Sequence, residues 1–225
     1  MMLYVNKVAG DGWLQVRQGA GGLMSLTKYT KLRRIESRLG RTFFEVMDGS
    51  LRGQVVSLSD AHAAEFVGSK APDAAPARIV VTYGRYTEGW VSAARGGERL
   101  DQQMATLEVA GIRVAVTMNS VWGGKFTPIP AGQYAVSVPD APHKQNMTRF
   151  YRTLAPGLKF DQVWFPIRYG DNSRFVHVGN LSEGCVTVLD LERWPDIHEA
   201  LISHRSGDGT IVAQLMVAGN PERAR

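Results

Sequence analysis

The sequence predicts a β-rich protein carrying one or two helices. Three observations lead there. Ile112 to Met118 (IRVAVTM) and Gln133 to Val138 (QYAVSV) alternate at period two, the pattern of a half-buried strand. Other short apolar runs are bounded by turn residues, in a chain with 24 Gly and 10 Pro. Helical spacing is confined to two short stretches.

Taken in order, Thr42 to Val46 (TFFEV), a turn at Asp48-Gly49 and Gln54 to Leu58 (QVVSL) form a predicted β-hairpin. Ser59 to Phe66 is a short helix with Ser59 or Asp60 as its cap. Lys70 to Ala77 (KAPDAAPA) is Pro/Ala-rich and is the best linker candidate. It divides the chain into a small β-containing N-terminal region, 1–75, and a larger domain, 77–225. Within the latter, Arg78 to Tyr83, Gln162 to Tyr169, Phe175 to Val178, Cys185 to Leu189 and Thr210 to Val217 are strands. Pro166 suggests an edge or a bulge in the second of these. Pro195 to Arg205 is the clearest helix, with Pro195 in its first turn, Ile197, Ala200 and Leu201 on one face, and Gly207 beyond its end. Trp122 to Lys125 (WGGK) lacks the phosphate-loop pattern and fits a hairpin turn.

Composition narrows the function. The chain has 225 residues and a formal net charge of +5, with no dense basic run. Lys28 to Arg38 is a solvated face. The charge suits an anionic partner such as cell wall or a membrane surface and gives little support to nucleic acid. No apolar stretch reaches the length of a membrane span. The N-terminus lacks a basic segment followed by an apolar one, so a secretory signal is not expected, and synthesis in the cytoplasm is. A single cysteine excludes an intramolecular disulfide and an all-cysteine zinc site.

That cysteine lies in Arg174 to Val188, RFVHVGNLSEGCVTV. Acyl transfer by a thiol needs a thiolate, a base to take its proton and N–H donors for the tetrahedral oxyanion. Cys185 supplies the first. His177, nearest in sequence of five histidines, supplies the second. The N–H groups of Gly184 and Cys185 are candidate oxyanion donors. Ser182 is either a turn residue bonding the backbone or part of the oxyanion pocket. In an antiparallel return with Val178 opposite Cys185, His177 and Cys185 fall on opposite faces, so a slip or bulge is required to unite them. His143 is the rival base or a substrate contact. Arg149, Arg168 and Arg174 could hold a substrate carboxylate, and Trp122 and Trp164 could line a groove. His198 and His204 fit helix-end surface charges.

Ser182, Gly184, Cys185 and Val186, with His177 upstream on a strand, resemble the signature of the L,D-transpeptidase (YkuD-type) family. Thr127 to Tyr134 (TPIPAGQY) is similar to that family's TPxG-x-[FY] element. Together they span roughly residues 105 to 205. Glu183 stands where the family usually has His before the Gly-Cys pair, and Thr187 where Arg commonly follows. The eight-residue interval from His177 to Cys185 is also short. The likeness is to compact relatives, some from phages and interbacterial toxins.

The resemblance implies a YkuD-like β-sandwich or barrel. It implies a cysteine enzyme on peptidoglycan stem peptides, working through a Cys185 thioester without metal or cofactor. Its catalytic residues would be Cys185, His177, Gly184 and Ser182, with His143, Arg174, Thr187 and Tyr134 as substrate contacts. An amine acceptor gives transpeptidation and water gives carboxypeptidase activity. An effector delivered to a rival's periplasm by a contractile (type VI) secretion machine, with an immunity protein as partner, would reconcile this substrate with the missing signal. The alternatives are a cysteine amidase or endopeptidase on another stem-peptide bond, and a non-catalytic wall-binding module.

Overall fold

The computed structural model describes residues 2–19, 21–93 and 96–223. It is β-rich, built on two sheets. The first contains β1 (Met2–Val5), β2 (Trp13–Gln18), β3 (Leu23–Thr27), β4 (Lys31–Arg38), β5 (Arg41–Val46), β6 (Val55–Ser59) and β7 (Val67–Gly68), in the order β3-β2-β6-β5-β4-β1-β7. The expected β5–β6 hairpin is present, Phe44 pairing with Val56. Helix α1 (Asp60–Phe66) starts at Ser59, whose hydroxyl accepts from the His62 N–H, as its N-cap sequence implies. Val5, Leu14, Leu26, Leu32, Phe44 and Leu58 bury against one another as this sheet's own core.

The second sheet closes into an eight-stranded barrel in the order β10-β14-β13-β12-β11-β15-β8-β9. Its strands are β8 (Ala77–Ser92), β9 (Glu98–Val109), β10 (Ile112–Asn119), β11 (Gly132–Ser137), β12 (Phe165–Ile167), β13 (Arg174–Val178), β14 (Val186–Val188) and β15 (Ile211–Ala218). Alternation fills the interior: Ile79, Val81, Leu107, Val116, Val136, Phe165, Val176, Val178, Val186, Val188 and Leu215 are all sealed from solvent. Closure removes edge strands. Pro166 therefore does not mark an edge. It sits in three-residue β12, opposite Phe175, and β12 meets β11 through the single pair Val136–Ile167.

Two helices attend the barrel, α2 (Gln145–Leu154) and α3 (Trp194–Ile202). The second is the expected one, with Pro195 in its first turn and Ile197, Leu201 and Ile202 buried. Its His198 is not a surface charge. It is 1% exposed, stacked 4.1 Å from the Phe160 ring, and burial pushes its pKa down to about 3. The 70–77 segment is pinned rather than free: Asp73 N–H donates to Ser203 O, and Arg205 N–H to Asp73 O.

The two sheets are packed together. Trp13 of β2 buries in the barrel's core cluster and its indole N–H donates to Gln162 O at 3.4 Å. A Cβ on Gly12 would lie 2.2 Å from Val163 Cγ2, so that contact requires glycine. Arg205, 4% exposed, donates to Ile202 O and His204 O on the barrel side and to Lys28 O of the first sheet's β3–β4 turn. A cleft of about 720 Å³ runs between the sheets, lined by Asp48, Asp140, Arg168, Asn172, Phe175 and Arg205 among others.

Candidate active site

Strands β13 and β14 are parallel, with Val176 beside Val186, His177 beside Thr187 and Val178 beside Val188. The expected out-and-back hairpin is absent, and this corrects the sequence reading. Residues 179–185 form a crossover that returns the chain to the same end of the barrel before β14 begins. Its strand then pairs antiparallel with β10 through Val116–Val188 and Thr117–Thr187. No slip or bulge is needed to bring the two motif strands side by side.

The crossover is held from several directions. Gly179 N–H donates to Val188 O at 2.9 Å and Asn180 N–H to the Tyr151 hydroxyl of α2 at 3.0 Å. Ser120 N–H donates to Ser182 O at 2.8 Å, and Ser182 N–H to Ser120 Oγ at 3.0 Å. The Ser182 hydroxyl donates to Cys185 O at 2.8 Å, so it shapes the turn. Gly184 N–H donates to Asn119 Oδ1 at 3.1 Å, which commits one of the two expected oxyanion donors in this geometry. Behind Asn119 and Ser120 stands buried Gln102, whose Oε1 accepts from Thr117 Oγ1 at 2.5 Å and Ser120 Oγ at 2.6 Å.

Gly184 is the crossover's left-handed residue, at φ +77°, and a Cβ there would lie 2.6 Å from Thr127 O. Both facts demand glycine. They also explain the TPIPAGQY segment. It is the lid of this corner, and two tyrosines fix its path: Tyr83 donates to Ile129 O at 2.5 Å and Tyr134 to Pro130 O at 2.8 Å. Trp122-Gly123-Gly124-Lys125 is part of the same long connection. Strands β10 and β11 do not pair, so it is not a hairpin turn.

Cys185 is 6% exposed. Burial pushes its thiol pKa up to about 11, against lowering by a main-chain hydrogen bond at Phe175 and by the nearby Arg174 charge. His177 is 4% exposed, and burial brings it down to about 3, so both groups are neutral at pH 7. Its Nδ1 lies 2.9 Å from Val178 O, and its Nε2 3.0 Å from Thr187 Oγ1. A carbonyl can only accept, so Nδ1 carries the proton and Nε2 accepts from Thr187. The imidazole stacks 3.7 Å from the Trp164 ring, and His143 stacks 3.5 Å from the same tryptophan, with Phe175 edge-on. The site residues named from sequence therefore fall into two groups. His177, Thr187 and His143 share the Trp164 stack, while Cys185, Gly184 and Arg174 lie at the neighbouring corner under Phe126 and Thr127.

No family model matches the chain, and neither a curated protein nor a solved structure is significantly similar to it.

Arg174 is not a solvated strand-end charge. It is 8% exposed, its guanidinium 4.7 Å from the Phe126 ring centre and 4.9 Å from that of Tyr169. Arg149 is exposed on α2, and Arg168 is exposed and bound to Ser137 and Thr210 hydroxyls. His204 Nε2 lies 3.5 Å from Asp73 at the pinned linker. Trp122 packs edge-on against Tyr86, and its indole N–H donates to Asp101 O at 2.9 Å. The residues that sequence reasoning missed are Asn119, Ser120, Gln102 and Tyr151. All are separated from the motif in sequence and carry no motif of their own. Among the described residues no cluster of His, Cys, Asp and Glu could hold a metal ion, and no helix is long and apolar enough to cross a membrane.

Proposed function

We propose that the chain is a cysteine acyltransferase or peptidase of the L,D-transpeptidase type, acting on peptidoglycan stem peptides with Cys185 as nucleophile and His177 as base. The observation that carries this reading is the parallel β13–β14 pairing, which sets the His177-bearing strand beside the strand that begins directly after Cys185, at a corner whose glycine cannot be replaced. In the reaction the thiol attacks the carbonyl ahead of the terminal residue, the amine leaves with a proton, and a thioester remains. Water or an amine then cleaves the thioester.

Burial holds the imidazole neutral, and its hydrogen-bond partners can rearrange when it takes up a proton. The Thr187 hydroxyl has one hydrogen and two acceptors in reach, His177 Nε2 at 3.0 Å and Leu181 O at 3.1 Å. With a neutral ring it donates to Nε2. With a protonated ring Nε2–H donates to Oγ1, and the hydroxyl turns to Leu181 O. Turnover requires the 120–131 connection to open, because the thiol is covered in this conformation. Delivery to a rival's cell wall, with an immunity protein as partner, belongs to the same reading.

A second reading has its own support. A covered thiol with a raised pKa and a Gly184 N–H already bonded to Asn119 suit a wall-binding module that has kept the architecture without the reaction. Purified protein and its Cys185→Ala variant, incubated with disaccharide-tetrapeptides and followed by mass spectrometry, separate the two. Loss of the terminal D-Ala or new crosslinks in the first sample alone supports the enzyme. Cleavage at another stem-peptide bond points to an amidase or endopeptidase, and unchanged muropeptides in both samples refute enzymatic action.

A further inference from the structure

We infer that Arg174 is the anchor for a free carboxylate of the bound ligand, at the corner beside Cys185. The inference builds on the proposed site but concerns recognition rather than the chemical step.

Arg174 is more than nine-tenths buried, yet its Nε is sealed from solvent without a hydrogen-bond partner, and the side chain takes part in no ion pair among the described residues. A buried guanidinium in that state is costly, since the favourable partner of a desolvated charge is an opposite charge with hydrogen-bonding oxygens. The protein instead surrounds it with the Phe126 and Tyr169 rings, which support a cation without consuming its N–H donors. The carboxylate of the same turn, Asp171, is diverted: Lys125 holds it at 2.8 Å and Ser173 N–H donates to it at 3.2 Å. That Lys125–Asp171 bridge also ties the loop bearing Phe126 to the turn bearing Tyr169, so the two rings are fixed relative to each other.

The location gives the charge a use. Arg174 Nε is 3.2 Å from where a Cβ on Gly184 would stand, and its charge acts on the Cys185 thiol. A carboxylate held here lies within about one residue of an acyl carbon at Cys185. The donors left over form a fork that matches a planar carboxylate bidentately. The site therefore selects ligands ending in a free α-carboxylate over those in which the same position is an amide or continues as a chain.

The test is a binding measurement on the full chain carrying Cys185→Ala, so that turnover plays no part. A stem tetrapeptide with a free C-terminal carboxylate and the same peptide as its C-terminal amide are titrated by calorimetry. The acid is expected to bind about 10- to 100-fold more tightly, the range of a charge-assisted hydrogen-bonded contact. With Arg174→Gln, or with Arg174→Met if the first fails to fold, the acid is expected to fall to the affinity of the amide. Equal affinity of acid and amide for the Cys185→Ala protein, no binding of either, or discrimination that survives in a folded Arg174 variant would overturn the inference. Failure of the enzyme reading shows separately, as absence of turnover in the unsubstituted protein whatever the titration gives.

Discussion

Thr187, not Cys185, is the strand partner of His177, and its hydroxyl lies 3.0 Å from the imidazole Nε2. The register of a parallel pair dictates this contact. It places a hydroxyl where the family that the motif resembles commonly carries an arginine. Removing the hydroxyl while keeping its shape isolates it. Thr187→Val leaves Nε2 without its donor inside a sealed site, and stability should fall by about 1–3 kcal/mol. Thr187→Ser keeps the hydroxyl and should lose less. Urea unfolding of the two variants checks the ordering, and a Thr187→Val protein as stable as the parent would contradict the assigned hydrogen bond.

The covered thiol has a measurable signature. Burial holds Cys185 neutral, with its pKa at about 11. Alkylation by iodoacetamide should be slow at pH 7 in the folded protein and climb with pH toward a midpoint near 11, whereas in denaturant the midpoint should return to the ordinary thiol range near 8.5. Mass spectrometry of timed quenches gives both profiles. Fast labelling of folded protein at pH 7 would show that the corner is open in solution.

Buried neutral histidines set the acid limit of stability. His177 and His198 each titrate at about 3 when folded, against an ordinary value of 6.5. Between those values the unfolded chain takes up protons that the folded protein refuses. Their contribution is therefore full above pH 6.5 and is lost as pH falls toward 3, at up to about 1.4 kcal/mol per pH unit for each ring. Cys185 acts at the other end: its folded pKa is raised from 9.0, so its contribution is full below 9 and is lost as pH rises toward 11. Chemical denaturation from pH 4 to 10 should trace a plateau with two falling shoulders. His198→Phe should make the acid shoulder about half as steep, leaving the His177 share, without touching the alkaline one.

The sequence made the regular strands legible and the crossover illegible, for one physical reason. Alternation in β10, β11 and β15 and the Ser59 cap of α1 are local signals, decided by which face of a segment is buried. The direction in which β14 runs is decided by its pairing with β10, some seventy residues earlier, and nothing within RFVHVGNLSEGCVTV reports it. Strand β8 runs on to Ser92, past the Tyr83 end that the local pattern predicts, through Gly84 and Gly89. In the fold they fall within β8 opposite β9, where the ladder shifts register. Helix α2 went unread because Met147, Phe150 and Leu154 stay exposed while Thr148 and Tyr151 are buried, so its apolar residues do not mark its inner face. The Cys-His-Gly motif is visible in the sequence. Its supports, Asn119, Ser120 and Gln102, are not, because a buried polar side chain is recognised only by the partner it meets.

Those supports and Gly184 give a final test of whether the corner is rigid by design. Gly184→Ala puts a side chain at φ +77° and drives its Cβ to 2.6 Å from Thr127 O, a contact backbone cannot yield cheaply. The conformation alone costs more than about 1 kcal/mol, and displacement of the 120–131 connection adds to it. Asn119→Ala should act by a different route. It frees the Gly184 N–H without moving the loop by force, leaves a buried donor unpaired and costs about 1–3 kcal/mol. The two can be told apart by the thiol: Gly184→Ala lifts the lid and should speed Cys185 alkylation at pH 7 at least several-fold, while Asn119→Ala should lower stability with a smaller change in labelling. Equal labelling in Gly184→Ala and the parent would mean that the Thr127 carbonyl is not what closes the corner.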